Sequence, residues 1–147
     1  MAIELHNIAK CKACGAENVK GLVIHDRGRT FKTIRGAFEE IGYTLHYKIL
    51  NSKDFGVPQN RERIYLVAFR NDIAPDNFMF PVTTDDTKRI KDIIEEEAVP
   101  AKYYLSETYL QTLKNHKARH AAKGNGFGYE IRAWDDIAGA IVCGGMG

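Results

Sequence analysis

The 147 residues contain few of the residue types that staple or punctuate small folds: three cysteines, four prolines and one tryptophan. An odd cysteine count with no signal-peptide pattern argues against a disulfide framework and for a reducing, cytoplasmic setting. No apolar run approaches membrane-spanning length, so no membrane partner is expected. An excess of one charge is also missing. Twenty-one Lys and Arg against 19 Asp and Glu leave a formal net charge of +2, which by itself does not imply nucleic acid. There is no repeat and no low-complexity tract. Apolar residues at 44% are enough for one packed core, and the length suits about one domain.

The start of the chain carries the least signal. Ile3, Leu5, Ile8 and Ala9 could line a short helix, and Cys11-Lys12-Ala13-Cys14 invites a zinc reading. A structural zinc needs four ligands, and a single C-x-x-C supplies two. His25 and Cys143 are distant and isolated, so no metal is expected and plain small-residue packing is the better account.

Further on, local structure is readable. Phe31, Ile34, Phe38 and Ile41 form one stripe of a helix over Arg29 to Ile41, with Thr30 able to cap it and Gly42 ending it. Tyr43, Leu45, Tyr47 and Ile49 alternate with Thr44, His46 and Lys48, which predicts a half-buried strand. Gly56-Val57-Pro58-Gln59-Asn60-Arg61-Glu62-Arg63 then turns a corner into Ile64-Tyr65-Leu66-Val67-Ala68-Phe69. That apolar run reads as a strand buried on both faces. Residues 71–87 form an irregular connector. Asp86 or Thr87 should cap a short helix to about Glu96, with Ile90, Ile93 and Ile94 inward. Ser106 should cap another through about His116, buried through Tyr109, Leu110 and Leu113.

Two polar clusters invite chemistry. Gln59, Asn60, Arg61, Glu62 and Arg63 sit at the mouth of a strand, where guanidinium forks can meet phosphate or base-edge acceptors. The plainer account is a set of solvated strand-end charges. Lys114, His116, Lys117, Arg119, His120 and Lys123 lead into Gly124-Asn125-Gly126-Phe127-Gly128. Such a run is usually a solvated helix end, but the glycines and the aromatics Phe127, Tyr129 and Trp134 also suit nucleic acid. That glycine loop is not a dinucleotide fingerprint. A polar helix end precedes it and a β-like Tyr129-Glu130-Ile131 follows, so the βαβ frame is missing.

Glu17-Asn18-Val19, His25-Asp26-Arg27-Gly28-Arg29-Thr30 and Gly56 to Arg63 stand in an order that resembles the later motifs of the bacterial DNA (cytosine-5) methyltransferases. The likeness is close from Glu17 to Asn71 and looser to Gly147. Gly144 and Gly145 look like the opening of that family's target-recognition region. The resemblance implies an α/β fold: the last three strands of a mixed, doubly wound, Rossmann-like sheet over residues 1–82. Residues 83–147 would hold connector helices and the start of target recognition. It also implies double-stranded DNA as partner, S-adenosylmethionine as methyl donor and a setting in restriction-modification. Such enzymes flip cytosine from the duplex and attack C6 with a cysteine thiolate. By resemblance, Glu17 is the acid at N3, Asn18 braces the turn, and Arg61 and Arg63 meet the carbonyl side of the base or its phosphate. Gln59 shapes that corner. Lys117, Arg119, Lys123, Gly144 and Gly145 are candidate DNA contacts. Without the resemblance, Glu17 reads as a strand-end carboxylate.

Two parts of that machinery are not found. No FxGxG-type cofactor loop precedes Glu17, and no cysteine follows a proline: Cys11 follows Lys10, Cys14 follows Ala13 and Cys143 follows Val142. The small residues Ala13 to Ala16, including a strand-weakening glycine, also make a poor version of the strand expected before Glu17. The expectation is a segment inactive alone, with an open sheet edge that an upstream polypeptide or a second copy could pair. The competing readings are a non-catalytic DNA-binding module, a zinc-dependent interaction domain and a decayed fragment.

Overall fold

In the computed structural model, residues 11–84 and 86–140 are described. They form β1 (Ala13–Val19), α1 (Arg29–Glu40), β2 (Tyr43–Asn51), β3 (Glu62–Arg70) and α2 (Glu107–Ala122), joined by short 3-10 turns. The sheet order is β1-β3-β2. β3 pairs antiparallel with both neighbours, with Glu17 opposite Tyr65 and Lys48 opposite Tyr65 on the other side. β1 and β2 therefore run the same way with α1 between them. The two pairings of β3 are both antiparallel.

β1 forms although its own residues favour a strand weakly. β3 offers a full row of backbone partners, and the register holds from Ala13–Phe69 to Val19–Arg63. Pairing with a neighbour outweighs intrinsic preference, which for strands is largely a matter of context. Among the described residues, the outer edge of β1 has no partner strand.

α1 follows its stripe, with Phe31 and Phe38 buried against the sheet. Its start differs from expectation. The capping position is Gly28 at φ 82°, and Thr30 Oγ1 instead lies 2.7 Å from His25 Nδ1. Asp26 and Arg27 also take left-handed backbone, at φ 51° and 56°, a conformation that costs about 1–2 kcal/mol per non-glycine residue. The Arg29 guanidinium, 2.5 Å from Asp26 Oδ1, ties the turn to the helix. Gly42, at φ 79°, ends the helix as its sequence position suggests.

The core lies between α1 and one face of the sheet. Phe31, Ile64 and Leu66 form one cluster with Leu22, Val23 and Leu45, while Phe38, Tyr43 and Ala68 form a second with Cys14, Ile34 and Ile41. β3 is thus buried through alternate residues rather than on both faces. Ile64 is 0% exposed and Tyr65 is 40% exposed. The second face carries Tyr65, Val67 and Phe69. Phe78 lies on Phe69 and His46, with ring centroids 5.1 and 5.0 Å away. A hollow of about 530 Å³ opens there, lined by Leu50, Phe55, Val57, Tyr65, Met79 and Phe80.

The later segment departs further from its sequence reading. The helix expected over residues 86–96 is a single 3-10 turn, Ile90–Asp92. Ile93 and Ile94 are exposed rather than inward. One turn that leaves two of the three isoleucines exposed does little to offset the cost of helix nucleation. α2 starts at the expected cap, where Ser106 Oγ accepts from Tyr109 N at 3.2 Å, but it continues to Ala122 and buries no residue. Tyr129 to Ile131 form no strand. No helix of the described residues is long and apolar enough to cross a membrane.

Candidate functional site

Glu17 and Arg63 come together on the sheet face away from α1. Side chains alternate along β1, so Cys14, Ala16 and Asn18 point toward α1 while Gly15 and Glu17 point the other way. Arg63 lies two residues before Tyr65, the partner of Glu17, and so reaches Glu17 diagonally across the ladder. Arg63 Nε stands 2.7 Å from Glu17 Oε1, with the arginine side chain 20% and the glutamate side chain 44% exposed. Arg63 Nη1 also donates to the Glu62 carbonyl at 2.8 Å. The fork is held by backbone on one side, and Glu17 Oε2 forms no hydrogen bond among the described residues. This charge pair opens to solvent at the end of the sheet. It is suited to a planar ligand bearing both donors and acceptors.

The neighbouring corner is built by Asn51 and Ser52. Asn51 Oδ1 accepts from Arg61 N at 3.0 Å, and its amide donates to Asn60 Oδ1 at 2.6 Å. Ser52 Oγ donates to the Gln59 carbonyl at 2.6 Å. An Asn-Ser pair directly after an alternating strand is itself a turn signal. Gln59 is further fixed by a parallel bridge to Ala138.

A profile of the C-5 cytosine-specific DNA methylases matches residues 2–141. The chain belongs to that family. It is 54% identical over 138 residues to the Type II methyltransferase M.HpaII of Haemophilus parainfluenzae, an alignment covering 92% of this chain and 38% of that protein. It is 46% identical over 117 residues to M.SsoII of Shigella sonnei, covering 78% of this chain and 31% of the relative. The chain thus spans less than two fifths of the length of these relatives. Among solved structures, Schizosaccharomyces pombe Dnmt2 methyltransferase superposes with a TM-score of 0.57 at 23% identity, covering 86% of this chain and 37% of that one. A Spodoptera frugiperda DNMT2 mutant gives 0.55 at 25% identity, covering 75% and 35%.

Within this methylase-family chain the other expected site residues are dispersed. Arg61 is half-buried two residues before Arg63, and its side chain makes no ion pair among the described residues. Asn18 faces α1, and its Oδ1 accepts from Val19 N at 2.8 Å. Lys117 lies on α2, where its Nζ donates to the Tyr129 carbonyl at 3.0 Å and sits 4.9 Å from the centre of that ring. Arg119 and Lys123 are exposed at the end of the same helix. Gly144, Gly145 and Cys143 lie outside the described residues.

Neither described cysteine is placed to act beside Glu17. Cys14 points to the opposite face, packed against the Phe38, Tyr43 and Ala68 cluster. Burial pushes its thiol above the ordinary range, Cys11 adds to that, and a hydrogen bond with the Ala68 backbone opposes it. A thiol held protonated is a poor nucleophile. Cys11 is six residues before Glu17, roughly 20 Å along an extended chain. Among the described residues, no group of three or more His, Cys, Asp and Glu could hold a metal.

Proposed function

We propose that this chain is the base-holding part of a DNA cytosine-5 methyltransferase of the restriction-modification type, working in the cytoplasm on double-stranded DNA. The observation that carries this reading is the 2.7 Å pairing of Glu17 with Arg63 at an open end of the sheet, within the stretch most like the family. A flipped cytosine would insert its edge at this pair. Glu17 would take N3 and the exocyclic amine, and Arg63 would donate to the ring carbonyl. When a thiolate adds to C6, negative charge gathers on the ring. An acid at N3 with a fixed cation beside it lowers that barrier. Arg61 would reach a flanking phosphate, with Gln59 shaping the corner, and Arg119 and Lys123 would lie along the duplex.

In this reading the three strands are the late part of a Rossmann-like sheet, and residues 83–147 lead into target recognition. S-adenosylmethionine would be held, and the cysteine supplied, by a part of the methyltransferase outside these residues, the partner of this segment. The hollow beside Tyr65 is mostly apolar, with no ionised side chain in its lining to meet the charged ends of that cofactor, and does not fit it. The open edge of β1 is the natural place for the partner to pair, and a second copy is the competing occupant. The chain alone is expected to be inactive. Mixing it with a polypeptide carrying the cofactor loop and Pro-Cys of a related methylase tests this: methylation of duplex cytosine should appear only in the mixture. Methylation by the chain alone, or none in a mixture that forms a stable complex, contradicts the proposal.

A further inference from the structure

Away from the Glu17–Arg63 pair, three cations from distant parts of the chain converge on one small hollow. It measures about 260 Å³ and is lined by Lys53, Asn60, Arg89, Arg132, Asp136 and Gly139 among others. We infer that this hollow is a second DNA-backbone subsite, taking one phosphodiester on Arg89, Arg132 and Lys53. The inference rests on the DNA reading given above.

Its frame is a backbone seam. Asn60 N donates to the Ala138 carbonyl at 2.7 Å and Ala138 N to the Pro58 carbonyl at 2.9 Å. Ile90 N donates to the Asp136 carbonyl at 3.0 Å and Lys91 N to the Trp134 carbonyl at 2.9 Å. Lys91 Nζ closes the seam 2.5 Å from Asp135 Oδ1. These bonds hold residues 132–139 against both the corner before β3 and the turn at residue 90.

The lining suits an anion. Asp136, its one carboxylate, already accepts from Ala133 N at 2.8 Å and so serves its own turn. Asn60 Oδ1 is taken by Asn51, which leaves the Asn60 amide N–H groups as donors. Arg89 has no ion pair among the described residues. Lys53 and Arg132 pair with Asp54 at 2.6 Å and Glu130 at 2.5 Å, which are near neighbours in sequence on exposed side chains. Pairs of that kind are weak and yield readily to a better anion. A phosphodiester offers two free oxygens that match a guanidinium fork. The volume falls short of the roughly 300 Å³ at which small-molecule pockets begin, so it fits a phosphate presented by a backbone rather than a whole nucleotide. Asn60 stands three residues before Arg63, a separation of at most about 10 Å at the rise of an extended chain. That is no more than about three base steps of rise along a duplex axis, a span within the reach of one DNA.

The test is binding of the chain to a short duplex between 50 and 200 mM salt, for the unaltered protein and for Arg89→Gln, Arg132→Gln and Arg89→Lys. Inorganic phosphate is titrated in parallel, followed through the fluorescence of the sole tryptophan, Trp134. Each Gln substitution should lower the slope of log affinity against log salt by about 0.9, narrowing the 50-to-200 mM affinity ratio by about 3.5-fold. The loss should be the same on duplexes of unrelated sequence, and Arg89→Lys should keep most of the slope. Duplex binding with an unchanged slope in Gln variants that melt like the parent overturns the subsite and leaves the methyltransferase reading standing. Phosphate binding abolished by Arg89→Gln, without any duplex binding, overturns DNA as the source and weakens that reading too. No response to either ligand overturns the inference outright.

Discussion

Ile64 and Tyr65 are adjacent on β3 and face opposite ways, so truncating each to alanine weighs the two faces of the sheet against one another. Ile64 is 0% exposed and sits between Phe31 and Leu66. Ile64→Ala removes three carbons, about 2.4 kcal/mol at roughly 0.8 kcal/mol per buried methylene, and the cavity left behind brings the total to about 3–4 kcal/mol. Tyr65 is 40% exposed, on the rim of the apolar hollow. Its partial burial and lack of a cavity-forming surround put Tyr65→Ala at about 1 kcal/mol. Domain stabilities are only about 5–15 kcal/mol, so the first substitution removes a large share and the second a small one. Urea unfolding followed by far-UV circular dichroism would measure both. Equal losses at the two positions would refute the one-sided core and restore the strand buried on both faces.

Three further outcomes follow from the same contacts. A double-mutant cycle between Glu17→Gln and Arg63→Gln should give a coupling of about 1 kcal/mol in stability, less in 1 M salt. The bond is charge-assisted but the glutamate side chain is 44% exposed. The Lys91 hydrogen bond holds the Asp135 carboxyl below its ordinary range, so its contribution is present above the usual carboxylate pKa and is lost as pH falls through the lowered one. Protection of the Ile90 and Lys91 amides, taken relative to their intrinsic exchange rates at each pH, should therefore fall on acidification, and the change should vanish in Asp135→Asn. Iodoacetamide at mildly alkaline pH should label the exposed Cys11 well before the half-buried Cys14, whose thiol burial pushes up; peptide mass mapping reads the order.

What could be seen in the sequence follows from where the energetics are local. The Phe31, Ile34, Phe38, Ile41 stripe and the Tyr43 to Ile49 alternation record which side of each element meets the core, and both elements formed where the pattern lay. Ser106 marks the start of α2 because a cap acts on its own first turn. β1 was hard to see because its stability comes from the β3 ladder, and Ala13 to Ala16 carry little signal of their own. The isoleucines at 90, 93 and 94 have helical spacing, yet Ile93 and Ile94 stay exposed and the helix does not form. α2 runs past His116 because that ring and His120, 4.5 Å apart, both contact Phe127 from the following loop. The Glu17–Arg63 meeting was legible only through family order, since nothing in spacing alone sets the register of two strands 46 residues apart.

The central claim is that one carboxylate beside one guanidinium grips the edge of an extruded pyrimidine. It is tested most directly by Glu17→Gln in a complex supplied with the cofactor-binding partner, measuring single-turnover methyl transfer and duplex affinity in the same preparation. The account predicts a fall in turnover of about 10²–10⁴-fold, the range for losing a positioned acid, with duplex affinity nearly unchanged. Turnover at the parent rate would contradict it.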